Sequence, residues 1–313
     1  MQQAQMEDLG FGITCIDAKY LRPGVACFYL LERDGEFAVI ETGTVHSVPN
    51  LERLLVARGV APGQVRYVIP THVHLDHAGG AGLMMARFPN AQLLVHPRGA
   101  RHLVDPARLV SASKLVYGDE PFRRLYGEVV PAPADRVIEV EDGAEFSLGQ
   151  GKLLLRHTPG HADHHFSVWD ALSRGWFSGD IFGISYSWFR TPGGDYVMPA
   201  TTPTQFRPGD YAHSLDLLAA RKPERIYLTH YGELRYTPAL HQMLLQQIEA
   251  YLPLARKHNG NAADLEPAII DYSLSLVSDL NPGMDMSHLS DEIRHDADLN
   301  AQGLAAWYQR ETQ

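Results

Sequence analysis

The sequence predicts an α/β protein made of two sheet-and-helix halves. Two observations carry that class: short apolar runs bounded by turn residues, and an order of strands followed by helices that occurs twice along the chain. At 45% hydrophobic and 20% charged, the composition excludes a disordered or fibrous protein. The 313 residues suffice to bury about 75% of the unfolded surface.

Residues 13–20, 25–31 and 37–41 read as strands, separated by Arg22-Pro23-Gly24 and Asp34-Gly35. Ser47 is placed to cap a helix with Leu51, Leu54 and Leu55 on its buried face, which Gly59 ends. A short apolar strand at 65–70 precedes a helix at 78–88 and a second buried strand at 91–95. Residues 97–133 are helical and irregular. Strands resume at 137 and continue at 145–148, 152–157, 166–170 and 175–178, with Gly149-Gln150-Gly151 as a hairpin turn. Residues 183–209, rich in Pro, Gly and aromatics, read as a long loop of the kind that carries function. A helix at 210–220 and a strand at 225–229 follow, and the chain is helical from 237 onward.

Lys plus Arg number 27 and Asp plus Glu 37, a net charge of −10 with no basic run. That balance argues against binding a nucleic-acid backbone or an anionic membrane. No 18 apolar residues run together, and residues 1–10 are polar without a basic stretch leading into an apolar one, so a cytoplasmic protein is expected. Cys15 and Cys27, in neighbouring predicted strands, are expected as reduced, buried thiols. The outlier is histidine, with 16 copies, and it directs attention to metal chemistry.

His72-x-His74-x-Asp76-His77 directly follows the strand at 65–70. Alternate residues at a strand end point the same way, so His72 and His74 can share one ion, while Asp76 and His77 continue into the turn and can reach a second. Three more strand ends release a ligand-type residue beside a glycine: Thr158-Pro159-Gly160-His161, Ser178-Gly179-Asp180, and Thr229-His230-Tyr231-Gly232. Singly each reads as structural; beside the first motif each reads as a ligand.

In order and spacing, these residues resemble the metallo-β-lactamase-fold hydrolase superfamily, over about residues 12–235 and closest to its glyoxalase II-like and lactonase-like branches. The resemblance implies a four-layer αββα sandwich as a catalytic domain over 1–237, and the helical reading of the residues beyond it makes 238–313 a helical extension. That extension is expected to cover one edge of the sandwich or to mediate homodimerisation. By position, His72, His74 and His161 would hold one metal, and Asp76, His77 and His230 the other. Asp180 would bridge them. Two divalent ions sharing a water give a hydroxide nucleophile near neutral pH, and the nitrogen and oxygen donors suit zinc foremost, with iron or manganese compatible. The superfamily's Asp-Thr-Gly is here Glu41-Thr42-Gly43, one methylene longer at the residue that supports the histidine turn.

The expected activity is hydrolysis of an ester, lactone or thioester on a small molecule with an apolar part, with Asp76 and Asp180 catalytic. The alternative is a diiron protein that binds oxygen or senses redox state, motivated by the open choice of metal, by Glu41 and by the aromatic residues nearby. Tyr186 is the candidate phenol for the polarised oxygen, as in lactonase-like relatives. His164, or its neighbour His165, is the candidate donor to an oxyanion or a ligand, and His46 a candidate for the cleft lining. Tyr186, Trp188, Phe189, Tyr196, Met198 and Phe206, with Tyr117, Phe122 and Tyr126, suggest an aromatic-rimmed pocket over the metals, unless they are core. No basic cluster after 237 offers to clamp a glutathione carboxylate, which ranks lactones and esters first.

Overall fold

The computed structural model describes residues 5–191, 193–201 and 204–313. The side chains of Val116 and Tyr117, the latter named above as a pocket candidate, lie outside the described set. Strands β1 (Met6–Asp8), β2 (Ile13–Asp17), β3 (Cys27–Arg33) and β4 (Glu36–Ile40) pair antiparallel in succession. Strands β5 (Val65–Ile69), β6 (Gln92–Val95) and β7 (Val137–Glu139) extend that sheet in parallel from β4. Parallel neighbours need crossovers. These are supplied by α1 (Val48–Ala57), by α2 (Leu75–Ala78) with α3 (Ala81–Arg87), and by α4 (Pro97–Val104), α5 (Ala107–Tyr117) and α6 (Asp119–Tyr126).

In the second sheet β8 (Glu145–Leu148), β9 (Gly151–His157), β10 (Phe166–Asp170) and β11 (Gly175–Gly179) pair antiparallel. A small ribbon, β12 (Arg190–Thr191) and β13 (Gly194–Asp195), and helix α7 (Pro208–Ala220) come next. Strand β14 (Arg225–Leu228) then joins β11 in parallel, and β15 (Gly232–Arg235) closes the edge. Three long helices follow: α8 (Pro238–Lys257), α9 (Ala262–Leu280) and α10 (Met286–Glu311).

The central strands read as apolar runs because both faces are covered, and the pleat sorts their residues by parity. Tyr29 and Leu31, Ala38 and Ile40, Leu153 and Leu155, and Phe166 and Val168 pack between the sheets. The alternate residues Phe28, Leu30, Val39, Leu154, Trp169 and Trp176 belong to the other core, shared with the helices. Phe177 ties the sheets together, its ring 5.0 Å from that of Tyr29 and 4.5 Å from that of Tyr227. The result is the expected αββα sandwich with a C-terminal helical region.

Three local expectations change. The helix expected at 78–88 is broken at Gly79-Gly80, where the chain passes the β4 loop. A Cβ on Gly80 would come within 2.8 Å of the Thr42 carbonyl oxygen. Ser47 does precede α1, but its hydroxyl donates to the Ala18 carbonyl and accepts from the Thr44 amide, so it fastens the loop and leaves the helix uncapped by a side chain. The segment 183–209 is pinned from the C-terminal side, not loose. Gln247 donates to the Val197 carbonyl and accepts from the Tyr196 hydroxyl, while Asn300 accepts from the Thr201 amide and donates to the Pro199 carbonyl. Gly303 permits this approach of α10, since a Cβ there would lie 2.4 Å from the Thr201 carbonyl oxygen.

Replacing Asn300 with Ala strands a buried amide and a buried carbonyl. The expected loss is about 2 kcal/mol of unfolding free energy, read from urea denaturation; an unchanged midpoint would contradict this role for α10.

Candidate metal centre

Strands β4 and β5 run in the same direction, and so do β9, β11 and β14, because β10 is antiparallel to both β9 and β11. Their C-terminal ends therefore meet at one edge of the sandwich. Main-chain bonds stitch that edge: the Cys27 amide donates to Thr229, the Phe166 amide to Thr71, and the Glu41 amide to Ile69. Residues 71–77, 161, 180 and 230 leave the strands here, which is how sequence positions far apart become one site.

Two groups of ligand-type atoms result, each within 4.8 Å: His72, His74, His161 and Asp180, and Asp76, His77 and His230. In the first, His74 Nδ1 lies 2.7 Å from His72 Nε2 and 3.2 Å from His161 Nε2. In the second, Asp76 Oδ2 lies 3.4 Å from His77 Nε2 and 3.3 Å from His230 Nε2. Asp180 spans them. Its Oδ2 is 3.3 Å from His161 Nε2, and its Oδ1 is 3.4 Å from His77 Nε2 and 3.8 Å from His230 Nε2.

Partners behind the site fix which nitrogen faces inward. His161 Nδ1 meets the Ala200 carbonyl at 2.9 Å, His230 Nδ1 the Val25 carbonyl at 2.8 Å, and His77 Nδ1 the Glu41 carboxylate at 3.0 Å. Each of these acceptors requires the hydrogen on Nδ1, leaving Nε2 to ligate. His165 holds the Asp180 backbone, accepting from its amide at 3.2 Å while Nδ1 meets the Thr158 hydroxyl. The longer Glu41 is fully employed. It accepts from the Thr71 amide at 2.9 Å, the Thr71 hydroxyl at 2.5 Å and the Thr229 hydroxyl at 3.0 Å, as well as from His77.

Divalent metals fit these residues. His77 Nε2 and Asp180 Oδ1 are buried with no hydrogen-bond partner, and the donor set is imidazole and carboxylate. Charge points the same way. Burial, then the neighbouring imidazoles, holds His72 and His74 well below the usual histidine range, in the neutral form that ligates. Burial also acts to lower His77 and His230, but Asp180 and Asp76 outweigh it, joined at His77 by Glu41. His77 is raised well above its usual value and His230 is pushed up to about 9. Without metal, those two protons balance the carboxylates.

Above the site is a cavity of about 340 Å³. His74, Asp76, His161, Asp180 and His230 form its floor. Its walls are Leu21 and Tyr20 after β2, Leu109 of α5, Tyr126 of α6, Ile184 and Tyr186, and Asp296, Leu299 and Asn300 of α10. The aromatic rim is thus smaller than expected. Phe189, Tyr196, Met198 and Phe206 are wholly buried in the core, Phe122 packs on Tyr126, and Trp188 lies under the Arg22 guanidinium at 4.5 Å.

Tyr186 does line the cavity, yet its hydroxyl donates to Asp296 at 3.2 Å, so the hydrogen assigned to the polarised oxygen is already committed. His164 faces a different hollow, with Arg98, Arg101 and His102, and does not line the cavity. His46 is exposed and also absent from the cavity wall. The wall residues on α10 were missed. Their signal is a polar pair one turn apart, Asp296 and Asn300, on the same buried face as Ile293, Ala297 and Leu304.

The superfamily model described as Metallo-beta-lactamase superfamily matches residues 21–230. The metallo-beta-lactamase fold-containing protein ST1585 of Sulfurisphaera tokodaii is 28% identical over 214 residues, 67% of this chain and 74% of that protein. A solved structure of the archaeal superfamily protein ST1585 from Sulfolobus tokodaii superposes with a TM-score of 0.66 at 24% identity, covering 94% of this chain and 98% of the other. The acyl-coenzyme A thioesterase MBLAC2 of Bos taurus is 28% identical over 188 residues, 56% of this chain and 65% of the thioesterase. The N-acyl homoserine lactonase AttM of Azorhizobium caulinodans is 32% identical over 113 residues, 36% of this chain and 38% of the lactonase.

Two outcomes test the centre. Zinc uptake at pH 7 should release about two protons from His77 and His230, and about one more where a shared water ionises, seen as a dependence of calorimetric enthalpy on buffer; fewer are released above pH 9, where His230 has already lost its own. Glu41→Gln, which turns a donor toward His77 and Thr71, should weaken zinc binding about 10–100-fold, with Glu41→Asp in between; unchanged affinity in Glu41→Gln would refute its supporting role. With the model match extending over two thirds of the chain, from Leu21 in the cavity wall to His230 of the site, the chain belongs to the metallo-beta-lactamase superfamily.

Proposed function

We propose that the chain is a dinuclear metal-dependent hydrolase of ester-type bonds, acting on a carboxylic ester, lactone or thioester. The observation that carries the reading is Asp180, whose two carboxylate oxygens each face a different ligand group. Two divalent ions held there would supply an acidified water and a polarising centre for the substrate carbonyl. Zinc suits the donor set, and iron or manganese are alternatives for loading trials.

The chain's own residues set the rest. Asp180 sits 5% exposed and is held ionised by His77, His161 and His230, which outweigh burial and keep its carboxyl well below the usual range. Asp76 has 19% of its side chain exposed and lines the cavity. It is placed to take the proton of the attacking water and return it to the leaving oxygen or sulfur. Leu21, Leu109, Ile184 and Leu299 provide an apolar wall for the acyl or alkyl part. Among the described residues no Lys or Arg lines the cavity, which disfavours a polyanionic substrate such as a glutathione adduct. Thioesterase and lactonase relatives support an acyl-transfer reaction to water. The oxygen-binding alternative loses two of its motives, because Glu41 is accounted for by its hydrogen bonds and most of the aromatic residues by the core.

Protein loaded with zinc, manganese or iron(II) should turn over members of a panel of aryl esters, lactones and thioesters; no turnover with any metal would sink the reading. Asp180→Ala should lose about one metal equivalent and on the order of 10³-fold in kcat/KM, by elemental analysis and steady-state kinetics. A variant that keeps both metals and activity would refute the bridging role.

A further inference from the structure

Asp296 is a carboxylate that the fold buries without pairing it to a Lys or Arg among the described residues. It stands on the inward face of α10, 6% exposed, in the cavity wall. Its hydrogen bond comes from the neutral Tyr186 hydroxyl, and among the described residues no Lys or Arg pairs with it. The bases that bear on it are His295, its neighbour in the chain, and His230 of the ligand set. Burial is the larger influence and pushes its carboxyl up. A buried carboxylate with no cation in hydrogen-bonding contact is costly, and an apolar residue would have served packing alone.

Tyr186 extends the argument. A phenol has one hydrogen, and with that hydrogen on Asp296 the oxygen can only accept from anything in the cavity. Asn300, one turn along α10, is engaged with Thr201 and Pro199. This part of the wall therefore presents acceptors and negative charge to a cavity that also offers the apolar side chains of Leu21, Leu109, Ile184 and Leu299. The chain as a whole carries −10, which favours the approach of cations. A lone carboxylate with a phenol is too sparse a donor set for a metal ion, but it matches a compact cation with several N–H donors.

We propose that Tyr186 and Asp296 together bind an ammonium group, so that the preferred substrate is an ester, lactone or thioester whose apolar part ends in a protonated amine. In its substrate half the proposal rests on the hydrolase reading; the ammonium site itself does not. Asp296 acts here as a specificity residue, and the ester is placed over the metal floor by the length of chain between the two groups.

Three p-nitrophenyl esters of similar length separate the cases: 6-aminohexanoate, its methyl isostere heptanoate, and mono-adipate. With metal-loaded protein, kcat/KM should be about tenfold higher for the ammonium ester than for heptanoate, with the carboxylate ester lowest. In Asp296→Asn the ratio of the first two should fall to about one, whatever the variant's absolute rate. A wild-type ratio near one, or a ratio that survives the substitution, overturns the proposal. Hexylammonium chloride and hexan-1-ol titrated into the wild type provide a readout independent of turnover and of the variant's folding. Tighter binding of the ammonium by about tenfold is expected, and equal or weaker binding overturns the proposal. Hexylammonium binding without turnover of any ester would remove the hydrolase reading and leave the ammonium site standing.

Discussion

The Glu41 carboxylate is the point at which the two sheets, the histidine turn and the metal centre become one structure. It takes hydrogen bonds from Thr71 at the end of β5 in one sheet, from Thr229 at the end of β14 in the other, and from His77 within the ligand set. A carboxylate 1% exposed survives there because every side of it is answered by a donor. Its backbone sits in the left-handed region at φ +62°, a conformation that costs a non-glycine residue about 1 kcal/mol or more and is held by those same bonds. The side chain thus acts as a clamp between layers as well as a support for one ligand.

From that clamp the rest follows by geometry. Strand direction puts five C-terminal ends on one edge, and the apolar parity of the strands prevents any of them from slipping by a residue without turning its buried side chains to the wrong core. A rigid pair of sheets therefore presents polar turns in a fixed relation, as a metal site requires. The helices at the C-terminal end complete what the sheets cannot, since a sandwich edge is open on one side. By pinning residues 196–201, they turn an edge into an enclosed space.

Much of this was legible in the residues themselves. Short apolar runs located most central strands, and the spacing of His72, His74, Asp76 and His77, with His161, Asp180 and His230 at later strand ends, picked out the residues that the fold gathers into two groups. What escaped has identifiable causes. Strand β1 is exposed throughout and β15 has only two buried residues, so neither leaves a hydrophobic signal. Asp296 and Asn300 lie in a helix whose place against the site is a matter of tertiary packing, invisible to local periodicity. Aromatic residues in 183–209 were ambiguous for the converse reason: sequence records that a ring will be buried, but not whether a core or a cavity buries it. The Tyr186 hydroxyl is the same kind of fact, since its partner 110 residues away decides whether it can donate into the cavity.

The chain order of floor and wall has a consequence for assembly. Every ligand-type residue has been synthesised by His230, whereas the cavity is closed only by residues up to Gln302 on the last helix. Because chains fold from the N-terminal side as they emerge, the nascent protein holds its metal-binding set while the space above it is still open to ions and water. The wall on the closing helix is thus added after the floor is complete. A substitution on the closing helix can accordingly reshape the cavity while the ligand-type residues of the floor stay untouched.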